Sequence, residues 1–102
     1  MEEKVVQVAM QVILHAGNAR NLIRNSGNLI VDNKLDGVEE MLAEAKKEII
    51  LAHKAQTELL QNEAKGNKIE MSILFSHAQD TLMTTDSECF IIETLYKTLR
   101  RK

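Results

Sequence analysis

His77 is the residue of this chain whose type and setting are best suited to chemistry. It lies in the run SHAQDTLM, residues 76–83, which reads as the middle of a helix, so we expect packing to hold its imidazole. Helical spacing gives it apolar and polar neighbours, namely Ile73, Leu74, Asp80, Thr81 and Thr84. A neutral ring nitrogen held in such a setting is suited to accept a transferred group.

The composition indicates that helices position this histidine. The chain has 102 residues, no proline, four glycines and 3% aromatic residues, while Ala, Leu, Ile, Glu and Lys recur. This composition favours long helices over strands. The length suits one domain, residues 1–102, with a modest core. We therefore predict a single all-α domain.

Apolar periodicity divides the chain into three helices. The first is expected over residues 2–31 and stops where Asn33 can adopt a left-handed conformation. The second is expected over residues 35–65, and Gly66-Asn67 ends it. The third then runs from about residue 68 to the C-terminus. Helices of about 30 residues are about 45 Å long, and tight turns between them predict an antiparallel up-down-up bundle.

The apolar stripes of these helices predict both a core and a surplus face. The second helix carries one stripe: Val38, Leu42, Ala45, Ile49, Ala52 and Leu59. The third has a core row: Met71, Leu74, Ala78, Leu82, Thr85, Cys89, Ile92 and Tyr96. It also has a second row, interrupted by polar groups: Ile69, Ile73, Ser76, Asp80, Met83, Ser87 and Phe90. One bundle cannot cover both rows, so the second row predicts a homo-oligomer.

Two glycines inside the first helix predict a close helix contact. Gly17 and Gly27 each cost about 1 kcal/mol of helix propensity relative to alanine. We expect the close approach of a neighbouring helix to compensate.

Charge and composition argue against several classes of function. The net charge is −2 with both signs interspersed, so we expect no nucleic-acid partner. The basic end, residues 100–102, is interpreted as a complement to the helix dipole. Gly-rich phosphate loops and apolar stretches of about 18 residues are both missing, which argues against nucleotide binding and membrane insertion. We expect a cytoplasmic protein, with the lone Cys89 packed in the core.

Three blocks of the sequence together resemble one protein family. They are AGNAR at 16–20, AHKAQTEL at 52–59 and SHAQDTLM at 76–83. In order and spacing they resemble the lactose/cellobiose-type IIA component of the bacterial phosphoenolpyruvate-dependent sugar phosphotransferase system, over nearly the whole chain. The resemblance implies that His77 takes a phosphoryl group from the phosphohistidine of HPr and passes it to a cysteine of the IIB component.

The resemblance also implies a homotrimer with a metal site. Three copies of Asp80 would lie near the threefold axis and bind one ion. One chain supplies too few ligands, but three carboxylates offer up to about six oxygens to Mg²⁺ or another hard divalent cation. Gln79 and Thr81 are candidate donors to a phosphoryl group on His77. Many family members carry a second histidine where this chain has Thr81.

The remaining polar residues are interpreted as structural. We expect His15 to be packed and hydrogen-bonded, His53 to be structural or to lie at a subunit contact, and Asn18 and Arg20 to make polar contacts within the bundle.

Two other functions stay open. One is a non-catalytic helical trimer that acts as a binding or regulatory module. The other is a histidine phosphotransfer domain, which normally uses four helices where we predict three.

Overall fold

Three helices make up the described part of the chain. A computed structural model describes residues 3–66 and 73–101. The helices are α1 (Glu3–Val31), α2 (Val38–Ala64) and α3 (Ile73–Arg100). Within these ranges no helix is long and apolar enough to cross a membrane.

Contacts between side chains define the directions of the helices. Three side-chain contacts join α2 to α3: Lys46 to Glu93, His53 to Asp86, and Glu39 to Arg100. The residue numbers fall on one helix as they rise on the other, so α2 and α3 are antiparallel. In contrast, Arg20 contacts Thr84, and Ile92 lies beside Gly27 further along, so α1 and α3 are parallel. The predicted all-α, up-down-up bundle is confirmed.

The core lies along the predicted stripes. All six residues of the α2 stripe are buried, as predicted. On α3, five residues of the predicted core row are buried: Ala78, Leu82, Thr85, Cys89 and Tyr96. Leu74 and Ile92 are half-buried, whereas Phe75, which the prediction left out, is fully buried. Met71 and Ile69 lie outside the described residues. Since 3.6 residues make a turn, a straight stripe drifts, and Phe75 lies one turn from Ala78 on the core side.

The helix ends lie where the turn residues predicted them, except for the start of α2. Asn33 has a φ of 57° and Gly66 a φ of 99°, so both adopt the expected left-handed conformation. Helix α2 begins at Val38, and the prediction that it begins near Leu35 is wrong. Gly37 has a φ of 87°, which no α-helical residue adopts, so the helix starts after it. The predicted start of α3 near residue 68 lies outside the described residues.

The expected close approach at the two glycines of α1 is wrong. A Cβ atom at Gly17 would have no heavy atom from another part of the fold within 4 Å. At Gly27 it would lie 3.7 Å from Cδ1 of Ile92, which is ordinary van der Waals contact. The helices therefore leave room for a side chain at both positions, and neighbouring helices do not compensate for the low helix propensity of either glycine.

Replacing Thr85 by valine is expected to leave the free energy of unfolding unchanged or to raise it by about 1 kcal/mol. Thr85 is fully buried, and its hydroxyl has no hydrogen-bond partner in the described structure. Valine keeps the β-branched shape and removes the unpaired polar atom. Urea denaturation at one fixed protein concentration measures the change. Thr85→Ala is the control and should be less stable, because it also removes a buried methyl group. A valine variant less stable than the alanine variant would contradict this account.

Candidate functional site

The imidazole of His77 is exposed near the start of the described part of α3. The expectation that packing holds it is wrong for the single chain, since the residue is exposed. Of its two expected apolar neighbours, Leu74 packs against the core, whereas Ile73 is 90% exposed. Among the described residues no hydrogen bond or ion pair involves the ring. Position 77 lies beside the core position Ala78, one helical step of about 100° away, so its side chain is directed outward. The single chain thus leaves His77 exposed, and its ring has no hydrogen-bond partner among the described residues.

Thr81 is the polar neighbour that lies on the same side of α3 as His77. It is one turn further on and half-buried, and its hydroxyl donates a hydrogen bond of 2.8 Å to the backbone carbonyl of His77. Gln79 is two residues from His77, which places it on the far side of the helix. Of the two donors suggested by the sequence, the helix therefore places Thr81, and not Gln79, beside the histidine.

Arg20 of α1 is held against α3 further along the same side. Its guanidinium donates a hydrogen bond of 2.6 Å to the hydroxyl of Thr84 and lies 3.4 Å from the carboxylate of Glu88. Asn18 donates a bond of 3.0 Å to Glu48 on α2. The expectation that these two residues make polar contacts within the bundle is confirmed.

The other two histidines occupy different settings. His15 is half-buried between α1 and α2, with Nδ1 at 2.7 Å from a carboxylate oxygen of Glu48, as expected for a packed, hydrogen-bonded ring. His53 is exposed, and Nε2 lies 3.6 Å from Asp86 on α3. His53 thus contacts α3 from α2. Its place at a subunit contact stays a prediction.

The second row of α3 is left uncovered by its own bundle. Its apolar members Ile73, Met83 and Phe90 are 90%, 67% and 70% exposed, and the polar members Ser76, Asp80 and Ser87 are exposed as well. These positions alternate in steps of three and four residues, the spacing of a coiled-coil seam. Exposed apolar residues in such a continuous row are typical of a surface that contacts another protein.

One chain alone does not assemble a metal site in its described part. Within residues 3–66 and 73–101 no three carboxylate, thiol or imidazole groups lie together. The carboxylate of Asp80 is exposed and makes no hydrogen bond or ion pair to another described residue. Asp80 is therefore available as a ligand, and the described part of one chain does not complete a metal site around it.

Cys89 belongs to the core, as expected. It is 4% exposed, and burial, with the carboxylate of Glu93, raises the pKa of its thiol. A buried thiol that stays protonated is a poor nucleophile. Cys89 is therefore a poor candidate for a reactive group.

Fold and site together define a three-helix bundle with an open histidine on its last helix. Comparison with known protein families identifies the family, which the fold and the site alone do not. Residues 7–100 match the model of the lactose/cellobiose-specific IIA subunit of the phosphotransferase system (PTS). The chain belongs to this family, whose members are phosphotransferase components of sugar transport.

Individual relatives agree with this assignment. The chain is 41% identical over 83 residues to the lichenan-specific phosphotransferase enzyme IIA component of Bacillus subtilis, which covers 81% of this chain and 76% of the relative. It is also 41% identical to the lactose-specific EIIA component of Staphylococcus epidermidis, over 81% and 80% of the two chains. The crystal structure of the cellobiose-specific enzyme IIA from Bacillus anthracis superposes with a TM-score of 0.89 at 37% identity, covering 100% and 96% of the two chains.

Proposed function

We propose that this protein is a phosphoryl carrier of a bacterial sugar phosphotransferase system. His77 accepts a phosphoryl group from the phosphohistidine of HPr and passes it to a cysteine of the IIB component. The observation that carries the proposal is the open imidazole of His77 in a chain that matches the IIA family over residues 7–100. The cytoplasmic location expected from the sequence stays a prediction.

The chemistry requires little beyond an accessible nitrogen. The lone pair of a neutral ring nitrogen of His77 forms a new N–P bond while the N–P bond of the donor phosphohistidine breaks, and the electron pair of that bond returns to the donor imidazole. In the second step a thiolate of IIB forms an S–P bond while the N–P bond of His77 breaks, and the electron pair of that bond returns to the ring of His77. Both transfers pass through a loose transition state that depends on positioning and charge balance. An exposed ring serves this chemistry because two different proteins must reach it in turn.

The second row of α3 supports a homotrimer. Three copies of the row would bury Ile73, Met83 and Phe90 against one another, which removes their exposed apolar surface from water. Asp80 lies in the middle of this row, so three carboxylates would meet near the axis. Their oxygens suit a hard divalent cation such as Mg²⁺, which would neutralise the three charges when bound. The number of copies rests on the family resemblance.

Incubation with phosphoenolpyruvate, enzyme I and HPr is expected to add one phosphoryl group to each chain, as read by intact mass. The label should be lost in mild acid, because phosphoramidate bonds hydrolyse there and serine or threonine esters do not. Addition of a cognate IIB component should move the label to the IIB cysteine. Label that is stable in acid and maps to Ser76 or Thr81 would overturn this mechanism.

A second function is left open by Thr81, at a position where the family resemblance implies a histidine in many members. In that case the protein is a non-catalytic helical trimer that binds a partner or regulates one. A folded, assembled protein that takes no label from phospho-HPr would support this function against the first.

A further inference from the structure

We infer that the hydroxyl of Thr81 donates a hydrogen bond to the phosphoryl group carried by His77 and prolongs the lifetime of the phosphohistidine. The inference rests on the proposed function. Side chains of a helix lean toward its N-terminus, so the side chain of Thr81 leans toward the turn that holds His77. The hydroxyl is already 2.8 Å from the backbone carbonyl of that residue.

The other polar groups near His77 are in the wrong place or have the wrong charge. Ser76 and Gln79 are turned about 100° and 200° around the helix from His77. Asp80 lies one turn away, but its carboxylate repels a phosphoryl group. The guanidinium of Arg20 is bound further along α3, to Thr84 and Glu88. Thr81 is thus the donor within α3 that lies one turn from His77 on the same side of the helix.

A change of rotamer is enough to redirect the hydroxyl. Threonine in a helix divides between two χ1 rotamers, and the bond to the carbonyl one turn back holds one of them. Leaving that bond costs little, because the carbonyl of His77 keeps its helical N–H partner. A hydrogen bond from a hydroxyl to a charged phosphoryl oxygen is stronger than one to a neutral carbonyl. Once His77 is phosphorylated, the Thr81 hydroxyl therefore favours a phosphoryl oxygen over the backbone carbonyl as its acceptor.

This hydrogen bond should slow hydrolysis of the phosphohistidine. In a loose transition state the departing phosphoryl group resembles metaphosphate. The three oxygens of metaphosphate share one negative charge, whereas the phosphoryl oxygens of the phosphohistidine carry two. A donor to those oxygens consequently stabilises the phosphohistidine more than the transition state. Loss of the donor is expected to shorten the lifetime about fivefold.

The experiment compares phosphohistidine lifetimes at neutral pH by intact mass. Thr81→Val removes the hydroxyl and keeps the shape, Thr81→Ala removes both, and Thr81→Ser keeps the hydroxyl. Thr98→Val is the matched control, since the Thr98 hydroxyl makes the same bond of 2.8 Å to the carbonyl one turn back, far from His77. We expect the valine and alanine variants at position 81 to lose the label about fivefold faster. The serine variant and the Thr98 control should stay within about twofold of the wild type.

Two phosphoryl donors separate this inference from the proposed function. Each protein is prepared in a His53→Gln background, so that this second exposed histidine takes no label. It is labelled in parallel by phospho-HPr and by phosphoramidate, a small molecule that phosphorylates accessible histidines without a protein partner. Wild type labelled by phosphoramidate alone would refute the carrier function, and the lifetimes would still decide the role of Thr81. Equal lifetimes for wild type and Thr81→Val, or an equal shortening in Thr98→Val, would overturn the inference.

Discussion

Replacing His77 by alanine is expected to abolish phosphorylation by phospho-HPr and to leave the fold intact. The substitution removes the accepting nitrogen, so labelling should fall to background in the intact mass. Because His77 is exposed, little packing is lost, and alanine has the higher helix propensity by about 0.5 kcal/mol. Far-UV circular dichroism and thermal melting should match the wild type.

His15→Gln and His53→Gln are the matched controls for this result. Glutamine retains hydrogen-bonding groups at both positions, beside Glu48 and Asp86 respectively. Both variants should accept label as the wild type does. Equal loss of labelling in all three variants, with folding intact, would refute the assignment of His77, as would full labelling of the alanine variant.

Periodicity alone predicted most of the bundle because burial within a helix depends on which side a residue faces. The α2 stripe is the clearest case, since each member from Val38 to Leu59 is buried as predicted. The left-handed residues Asn33 and Gly66 were also predictable, because few residue types adopt that conformation at a helix end. The start of α2 was not predicted correctly. Gly37 is a third left-handed residue and delays the start of the helix to Val38, and apolar periodicity does not indicate such a residue.

The environment of His77 was harder to predict because it depends on what lies outside the chain. Sequence spacing placed Ile73 and Leu74 beside the ring, and the structure leaves Ile73 exposed. Exposure does not distinguish His77 from His53 as the candidate acceptor, since both residues are exposed. The choice of His77 comes from the SHAQDTLM block and its family resemblance. Helical geometry then refines that site, because it favours Thr81 over Gln79 as the neighbouring donor.

The positions of His77 and Asp80 along α3 connect the proposed phosphoryl acceptor with the proposed trimer interface. His77 and Asp80 are three residues apart, so they are neighbours on the surface of one helix. If Asp80 lies at the axis of a trimer, His77 lies about one turn from the interface. Burial of Ile73 in that interface would then give the ring a second packed apolar neighbour beside Leu74, which already packs against the core of the single chain. Assembly and reactivity should therefore change together.

Replacing Asp80 by leucine is expected to preserve or strengthen a homotrimer and to remove its dependence on metal. Two carboxylates about 4 Å apart repel by roughly 4 kcal/mol at an effective dielectric of 20, and a trimer contains three such pairs. Without a cation or shared protons this repulsion should split the trimer. Leucine replaces the charge with an apolar side chain in the same row as Met83, so the seam packs without a cation.

Sedimentation of each protein with and without chelator measures the effect. The wild type should be trimeric with Mg²⁺ and shift toward monomer in chelator, whereas Asp80→Leu should be trimeric in both. Asp86→Asn is the control, since Asp86 is an exposed carboxylate of the same helix that lies outside the row and beside His53. It should keep the chelator dependence of the wild type. A wild type that is monomeric under all conditions would contradict the trimer. An Asp80→Leu protein that dissociates while the wild type stays trimeric in chelator would contradict the repulsion that we assign to Asp80.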